Sequence, residues 1–231
     1  MKLLIIIPAY NEAQNLTYVV NDIKRNCPEF DYIIVNDGSK DNTVELCKNN
    51  SYNLLDLPIN LGLAGGVQAG IKYAFENGYD YAIQFDGDGQ HQAKYISVLF
   101  NNMKTQNSDI VIGSRFVNQK KPNSLRMAGS NFIQSIIKIT TGMKIQDPTS
   151  GMRLLNRRIM LMFVDSMNYG PEPDTISYLI RCGAKVNEVS VEMRDRQAGE
   201  SYLNLKRSIQ YMFRMSISII FIQFFRKKVI I

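Results

Sequence analysis

The feature that most constrains this chain is a recurring one: a short apolar, strand-favouring run that stops abruptly at a polar, acid-bearing loop. The clearest instance is Tyr79 to Gln90. There Tyr81, Ala82, Ile83 and Phe85 make a run of strand length that ends at Asp86-Gly87-Asp88-Gly89-Gln90. Leu3 to Ile7 is wholly aliphatic, the pattern of a strand covered on both faces, and is closed by Pro8-Ala9-Tyr10-Asn11-Glu12. Tyr32 to Val35 ends at Asn36-Asp37-Gly38-Ser39, and weaker or later strands read at 54–57 and 109–113. Helical periodicity fills the gaps at 15–26, from Asp41 or Asn42 to about 50, from the glycine-rich 62–66 to 76, and at 93–104. Strand and helix alternating at short intervals predict an α/β fold, a mostly parallel sheet flanked by helices.

In such a sheet the loops after strands one, two and four share one edge, where open α/β sheets bind their ligands. Asp and Gly are also the commonest turn residues, and Asp86-Gly87-Asp88-Gly89 alone reads as a solvated turn. Its placement beside Glu12 and Asp37 favours a site. Two carboxylates one residue apart, with the Gln90 amide oxygen beyond, suit a hard divalent cation that shares its remaining positions with phosphate oxygens.

A chain of 231 residues can bury one large core. Its net charge of +6 points to an anionic partner. Nucleic acid is not that partner, because the basic residues are dispersed and no nucleic-acid-binding signature occurs. Cys27, Cys47 and Cys182 lie far apart, in no ligand-like spacing, which argues against a disulfide framework or zinc site. The apolar start is too short for a signal peptide and runs into Pro8, so it reads as a buried strand.

The second half is less regular. Helices read at 124–141, 157–167 and 174–182, and a strand at 185–193, with Asp147-Pro148-Thr149-Ser150-Gly151-Met152-Arg153 and Arg196-Gln197-Ala198-Gly199-Glu200-Ser201 between or after them. No repeat or low-complexity linker interrupts the chain, so residues 1–205 form one catalytic unit and 206–231 an extension. That extension is too short and interrupted to span a bilayer, which needs roughly 20 apolar residues. It reads as an amphipathic helix lying on an anionic membrane surface, its inserted face Ile209, Met212, Phe213, Ser216, Ile220 and Phe224, with Arg226, Lys227 and Lys228 on headgroups. The alternative is a helix packed on the core or on a second copy of the chain.

These motifs, in this order over residues 1–205, resemble family 2 glycosyltransferases with the GT-A fold, within them the polyprenyl-phosphate, dolichol-phosphate mannose synthase-like branch. The resemblance implies an inverting, metal-dependent transfer of one sugar from a UDP- or GDP-linked nucleoside diphosphate sugar to a polyprenyl phosphate. It places the reaction at the cytoplasmic membrane face; because the C-terminal helix cannot cross the bilayer alone, a small membrane partner protein or a homo-oligomer is expected to complete the anchor. Pro8, Tyr10, Glu12 and Asp37 correspond to the base and ribose pocket. Asp86 meets nucleotide or metal, and Asp88 and Gln90 hold Mg²⁺ or Mn²⁺. Arg196, Arg115 and Arg126 correspond to phosphate contacts, for which a guanidinium fork is suited. Asp147, Glu172 and Asp174 are candidate bases should the acceptor be a sugar hydroxyl, whereas a lipid phosphate needs none. His91 is expected to flank the metal motif rather than join it. The pattern departs at Asn36, where relatives carry a second aspartate, and at Tyr202, where they carry lysine. Two rival readings stay open: a hydroxyl acceptor in polysaccharide assembly, and a catalytically silent sugar-nucleotide-binding subunit.

Overall fold

The computed structural model describes residues 1–119, 121–122, 125–165, 170, 172–194, 205–222 and 225, without the side chains of 125–126, 205–209 and 222. The elements run β1 (Leu3–Ala9), α1 (Ala13–Asn26), β2 (Asp31–Asp37), α2 (Thr43–Asn49), β3 (Leu54–Leu57), α3 (Gly62–Glu76), β4 (Tyr81–Gln84) and α4 (Lys94–Gln106). They continue with β5 (Ile110–Ser114), α5 (Leu125–Thr141), β6 (Arg153–Asn156), α6 (Arg157–Asp165), α7 (Pro173–Arg181), β7 (Val186–Ser190) and α8 (Leu205–Ile217). A π turn at Ser218–Ile222 prolongs α8.

The sheet has seven strands in the order β3-β2-β1-β4-β6-β5-β7. All pairings are parallel except the two made by β6, which runs antiparallel between β4 and β5. β6 was not foreseen: Arg153-Leu154-Leu155-Asn156 is short, opens on an arginine and runs straight into a helix.

The period-two alternation of β1 builds both faces of the core. Leu3, Ile5 and Ile7 pack with Leu16, Val19, Val20 and Ile23 of α1 and with Ile96 and Leu99 of α4. Leu4 and Ile6 face the opposite way, against Val67 and Ile71 of α3. Each such side chain contributes about 1.5–3 kcal/mol when fully buried. The second core face also takes in Ile133, Ile137, Ile159, Leu179 and, from the C-terminal segment, Met215 and Ile219.

That last contact corrects the expected membrane face. Met212 packs against the core and Ser216 is buried, so neither is available for insertion. A Cβ on Gly129 of α5 would overlap the Met212 side chain, so the glycine lets α8 settle close onto α5. Phe213 (69% exposed) and Ile220 (38%) of the expected face do point outward, together with Phe221 (58%) and Phe225 (88%). Phe224, Arg226, Lys227 and Lys228 lie outside the described residues. Among the described residues no helix is long and apolar enough to cross a membrane.

Candidate active site

β1 leads to β2 on one side, while β4 lies on the other, so the strand order reverses between β1 and β4. Ligands of open α/β sheets bind beyond the strand ends at such a switch point. The loops of Pro8–Glu12 and Asp86–Gln90 meet there. Gly87 makes their closeness affordable, since a Cβ on it would lie 3.0 Å from the Pro8 carbonyl oxygen and 3.7 Å from Glu12 Cγ.

The β1 and β2 loops are fastened to one another by side chain–backbone bonds. The Asn11 N–H donates to Ser39 Oγ (2.9 Å), and the Lys40 N–H donates to Asn11 Oδ1 (2.8 Å). The Glu12 N–H donates to Thr43 Oγ1 (3.1 Å), and Glu12 Oε2 accepts from Asn15 Nδ2 (2.6 Å). Asn11 takes a positive φ of 57°, a strained turn that leaves the neighbouring Tyr10 ring 43% exposed at the crevice rim. Asp37 is buried at the end of β2, where its Oδ1 accepts from the Leu61 N–H (2.6 Å) at the start of α3. Asn36, standing where a second acid was expected, donates to Asp56 Oδ1 (2.7 Å).

Asp86 sits just past β4 with one third of its side chain exposed. Its Oδ1 accepts from Gln84 Nε2 (2.8 Å). Its own N–H donates to His91 Nδ1 (3.0 Å), which puts the proton of a neutral imidazole on Nε2, 3.7 Å from Asp86 Oδ2. His91 is buried and edge-on to Phe85, so it orients Asp86 from behind. Asp88 is also buried and folds back to accept from the Gln90 N–H (3.0 Å).

A second loop closes over this one. A Cβ at Gly151 would come within 2.5 Å of Asp86 Oδ2, so the glycine lets the Asp147–Arg153 loop lie against that carboxylate without displacing it. Arg115 at the end of β5 grips Asp147 with a fork, Nε to Oδ2 at 2.7 Å and Nη2 to Oδ1 at 2.8 Å, and its N–H adds a third bond (3.1 Å). Burial opposes both charges. The hydrogen bonds and charge of the pair more than offset this, holding Asp147 below the usual carboxylate range and Arg115 above its ordinary value. The Asp147 and Gln146 N–H groups donate to Glu188 on β7 (2.8 and 2.6 Å). Burial raises the Glu188 carboxyl, against those two bonds.

Arg153, which motif reading left without a role, is buried and donates to three main-chain carbonyls: Ser150 (2.9 Å), Pro148 (2.7 Å) and Glu172 (3.2 Å). Glu172 accepts from the Tyr211 hydroxyl, and Asp174 Oδ2 accepts from the Ser218 hydroxyl (2.5 Å). Pro8, Tyr10, Glu12, Asp37, Asp86, Asp88 and Gln90 thus stand on one sheet edge, with Arg115 just past β5 bonded to Asp147 on the loop before β6. Arg196 and the Arg126 side chain lie outside the described residues. No signal in the sequence could have paired Glu172 with Tyr211, because the two meet only in the fold.

Among the described residues no three His, Cys, Asp or Glu side chains form a closed cation cage. The donor set at the crevice is nevertheless all oxygen, as Mg²⁺ and Mn²⁺ require, and Gly87 and Gly151 keep side chains out of it.

The glycosyl transferase family 2 pattern matches residues 4–161. The chain is 32% identical over 220 residues to undecaprenyl-phosphate mannosyltransferase of Micrococcus luteus, covering 88% of each. It is 27% identical over 226 residues to polyprenol monophosphomannose synthase of Mycolicibacterium smegmatis, covering 92% of this chain and 85% of that one. Among solved structures, glucosyl-3-phosphoglycerate synthase of Mycobacterium tuberculosis, crystallised with Mn²⁺, UDP and phosphoglyceric acid, matches with a TM-score of 0.70. That match covers 94% of this chain and 78% of the other at 15% identity, a likeness of fold, which is GT-A. With the family pattern spanning the part that carries Glu12, Asp37, Asp86 and Asp88, this chain belongs to glycosyl transferase family 2.

Proposed function

We propose that this protein transfers one sugar from a UDP- or GDP-linked donor to a polyprenyl phosphate, with inversion, at the inner face of the cell membrane. The observation that carries this reading is the near full-length likeness to two polyprenyl-phosphate mannosyltransferases. Tyr10 offers an aromatic face at the crevice rim and Asp37 and Glu12 offer carboxylates for the base and ribose. Asp86, Asp88 and Gln90 would hold Mg²⁺ or Mn²⁺, which when bound neutralises charge on the departing diphosphate. Arg196 and Arg126 would meet phosphate oxygens, for which a guanidinium fork is suited. Asp147 is held as a carboxylate by the fork of Arg115, so it acts by aiming Arg115 rather than by taking a proton.

The choice of acceptor rests on the same bonding. A hydroxyl acceptor requires a general base within hydrogen-bond reach, while a lipid phosphate arrives already anionic. Asp147 is locked to Arg115, Glu172 to Tyr211 and Asp174 to Ser218, which favours the lipid phosphate. The outward Phe213, Phe221 and Phe225, with the cations of 226–228, would rest in the headgroup layer and bring the site to its lipid.

The test is a panel of UDP- and GDP-sugars offered to the purified chain with polyprenyl phosphate in detergent. A lipid-linked product that releases its sugar in mild acid supports the reading. Transfer only to saccharide hydroxyls, or binding without turnover, would replace it with one of its rivals.

A further inference from the structure

The C-terminal segment is joined to the active-site loop by a buried polar chain. Tyr211 of α8 donates to the Glu172 carboxylate, and Ser218 of the π turn donates to Asp174 Oδ2 (2.5 Å). These two acids frame Pro173 at the start of α7. That start is clamped further where Thr175 Oγ1 and the Glu172 N–H donate to the Gly170 carbonyl, both at 2.8 Å. The Glu172 carbonyl then takes one arm of the Arg153 guanidinium (3.2 Å), whose other arms hold the carbonyls of Pro148 and Ser150. The next residue, Gly151, abuts Asp86 Oδ2. Arg153 also pairs across the sheet with Gln84, whose amide donates to Asp86 Oδ1 (2.8 Å).

Burying Arg153 and Asp174 and half-burying Glu172 and Tyr211 costs desolvation that apolar side chains of the same volume would not incur. What such a set supplies is fixed geometry, because each donor accepts one arrangement of its partner. Here the geometry fixed is that of the loop lying on Asp86.

We infer that Tyr211 and Ser218 are positioning residues for the Asp86 site, acting through Glu172, Asp174 and Arg153 on the 148–151 loop. The seating of the C-terminal helix on α5 and α7 thereby sets the form of the donor crevice. This rests on the reading of Asp86 as a donor-site residue, so the test includes a measurement independent of turnover.

Tyr211→Phe keeps the ring and removes only the donor to Glu172. Amide hydrogen exchange of 148–152 in the full chain should speed up by roughly tenfold, and sugar transfer should slow by a similar factor, the scale of an outer-shell partner. Ser218→Ala should act in the same direction. In a Glu172→Gln background, where the carboxylate charge is already gone, Tyr211→Phe should add little, as coupled sites do. Arg214→Gln, exposed on the same helix, should leave exchange of 148–152 unchanged. Wild-type exchange of 148–152 in both Tyr211→Phe and Ser218→Ala would overturn the inference, as would an equal effect in Arg214→Gln. A protein that transfers no sugar at all would contradict the proposed function, while exchange would still decide this coupling.

Discussion

The loops after β1, β2 and β4 and the Asp147–Arg153 loop above them face the same crevice but are held in opposite ways. The first set is fastened mainly by neutral groups: Asn11, Ser39, Thr43, Gln84 and His91 all bond to main chain or to an acid they orient. Asp86 consequently keeps a third of its side chain exposed to whatever binds there. The second loop is held by charge, with Asp147 fully buried in the fork of Arg115 and Arg153 sunk among carbonyls. The first region leaves Asp86 partly exposed, and the second commits its ions to shape. Substitutions should therefore damage activity in the first region and stability in the second.

The largest effect expected is on the second region. Arg115→Met leaves Asp147 buried and unpaired and should destabilise the fold by about 3–5 kcal/mol, read from denaturant unfolding. The pH dependence has a definite sign. The Asp147 carboxyl is held below its unfolded value of about 3.9, so its pairing stabilises fully above that pH and is lost as pH falls through the folded value. Thermal stability of the wild type should fall below about pH 4, and the contribution of this pair to that slope should vanish in Arg115→Met.

Asp88→Ala tests the first region. Turnover should fall about 10²–10³-fold, the scale of removing one transition-state stabilising group, and the unfolding midpoint should hardly move. A stability loss as large as that of Arg115→Met would erase the distinction between the loops. Arg196→Ala should lower kcat/KM by the equivalent of about 1.5–3 kcal/mol, one charge-assisted contact. Lysine there should rescue only part, because it keeps the charge and loses the fork.

The smallest effects belong to the outer face of the C-terminal helix. Phe213→Ser and Phe221→Ser should each weaken co-sedimentation with anionic vesicles by roughly tenfold, within the 1.5–3 kcal/mol worth of a buried phenylalanine, with unfolding unchanged. Undiminished co-sedimentation would assign that face to a partner protein or a second copy.

How much of this was legible in the sequence follows the same divide. The first region was readable because its signals are local: an apolar run, a stop, and an acid on the sheet edge. Even there the run overreached, since β4 ends at Gln84 and Phe85 is buried beyond it. The second region depends on pairs far apart in the chain. Arg153 at the head of β6 argued against a core strand, yet three carbonyls accept its guanidinium and make the strand tenable. The 3.6-residue period of the C-terminal segment identified a helix, but not which stripe was covered. Met215 and Ile219 fill the core, and Met212 lies over Gly129 of α5, contacts that the helix's own residues do not record.

Whether the acid pair beyond β4 is the nucleotide-diphosphate end of the crevice, as proposed, can be read by calorimetry. UDP and GDP would be titrated into wild type and Asp88→Asn, each with and without Mn²⁺. One nucleotide should bind the wild type with an affinity that Mn²⁺ strengthens, and Asp88→Asn should lose that metal-dependent gain while retaining its fold. Metal-dependent binding of equal strength in Asp88→Asn would contradict the claim.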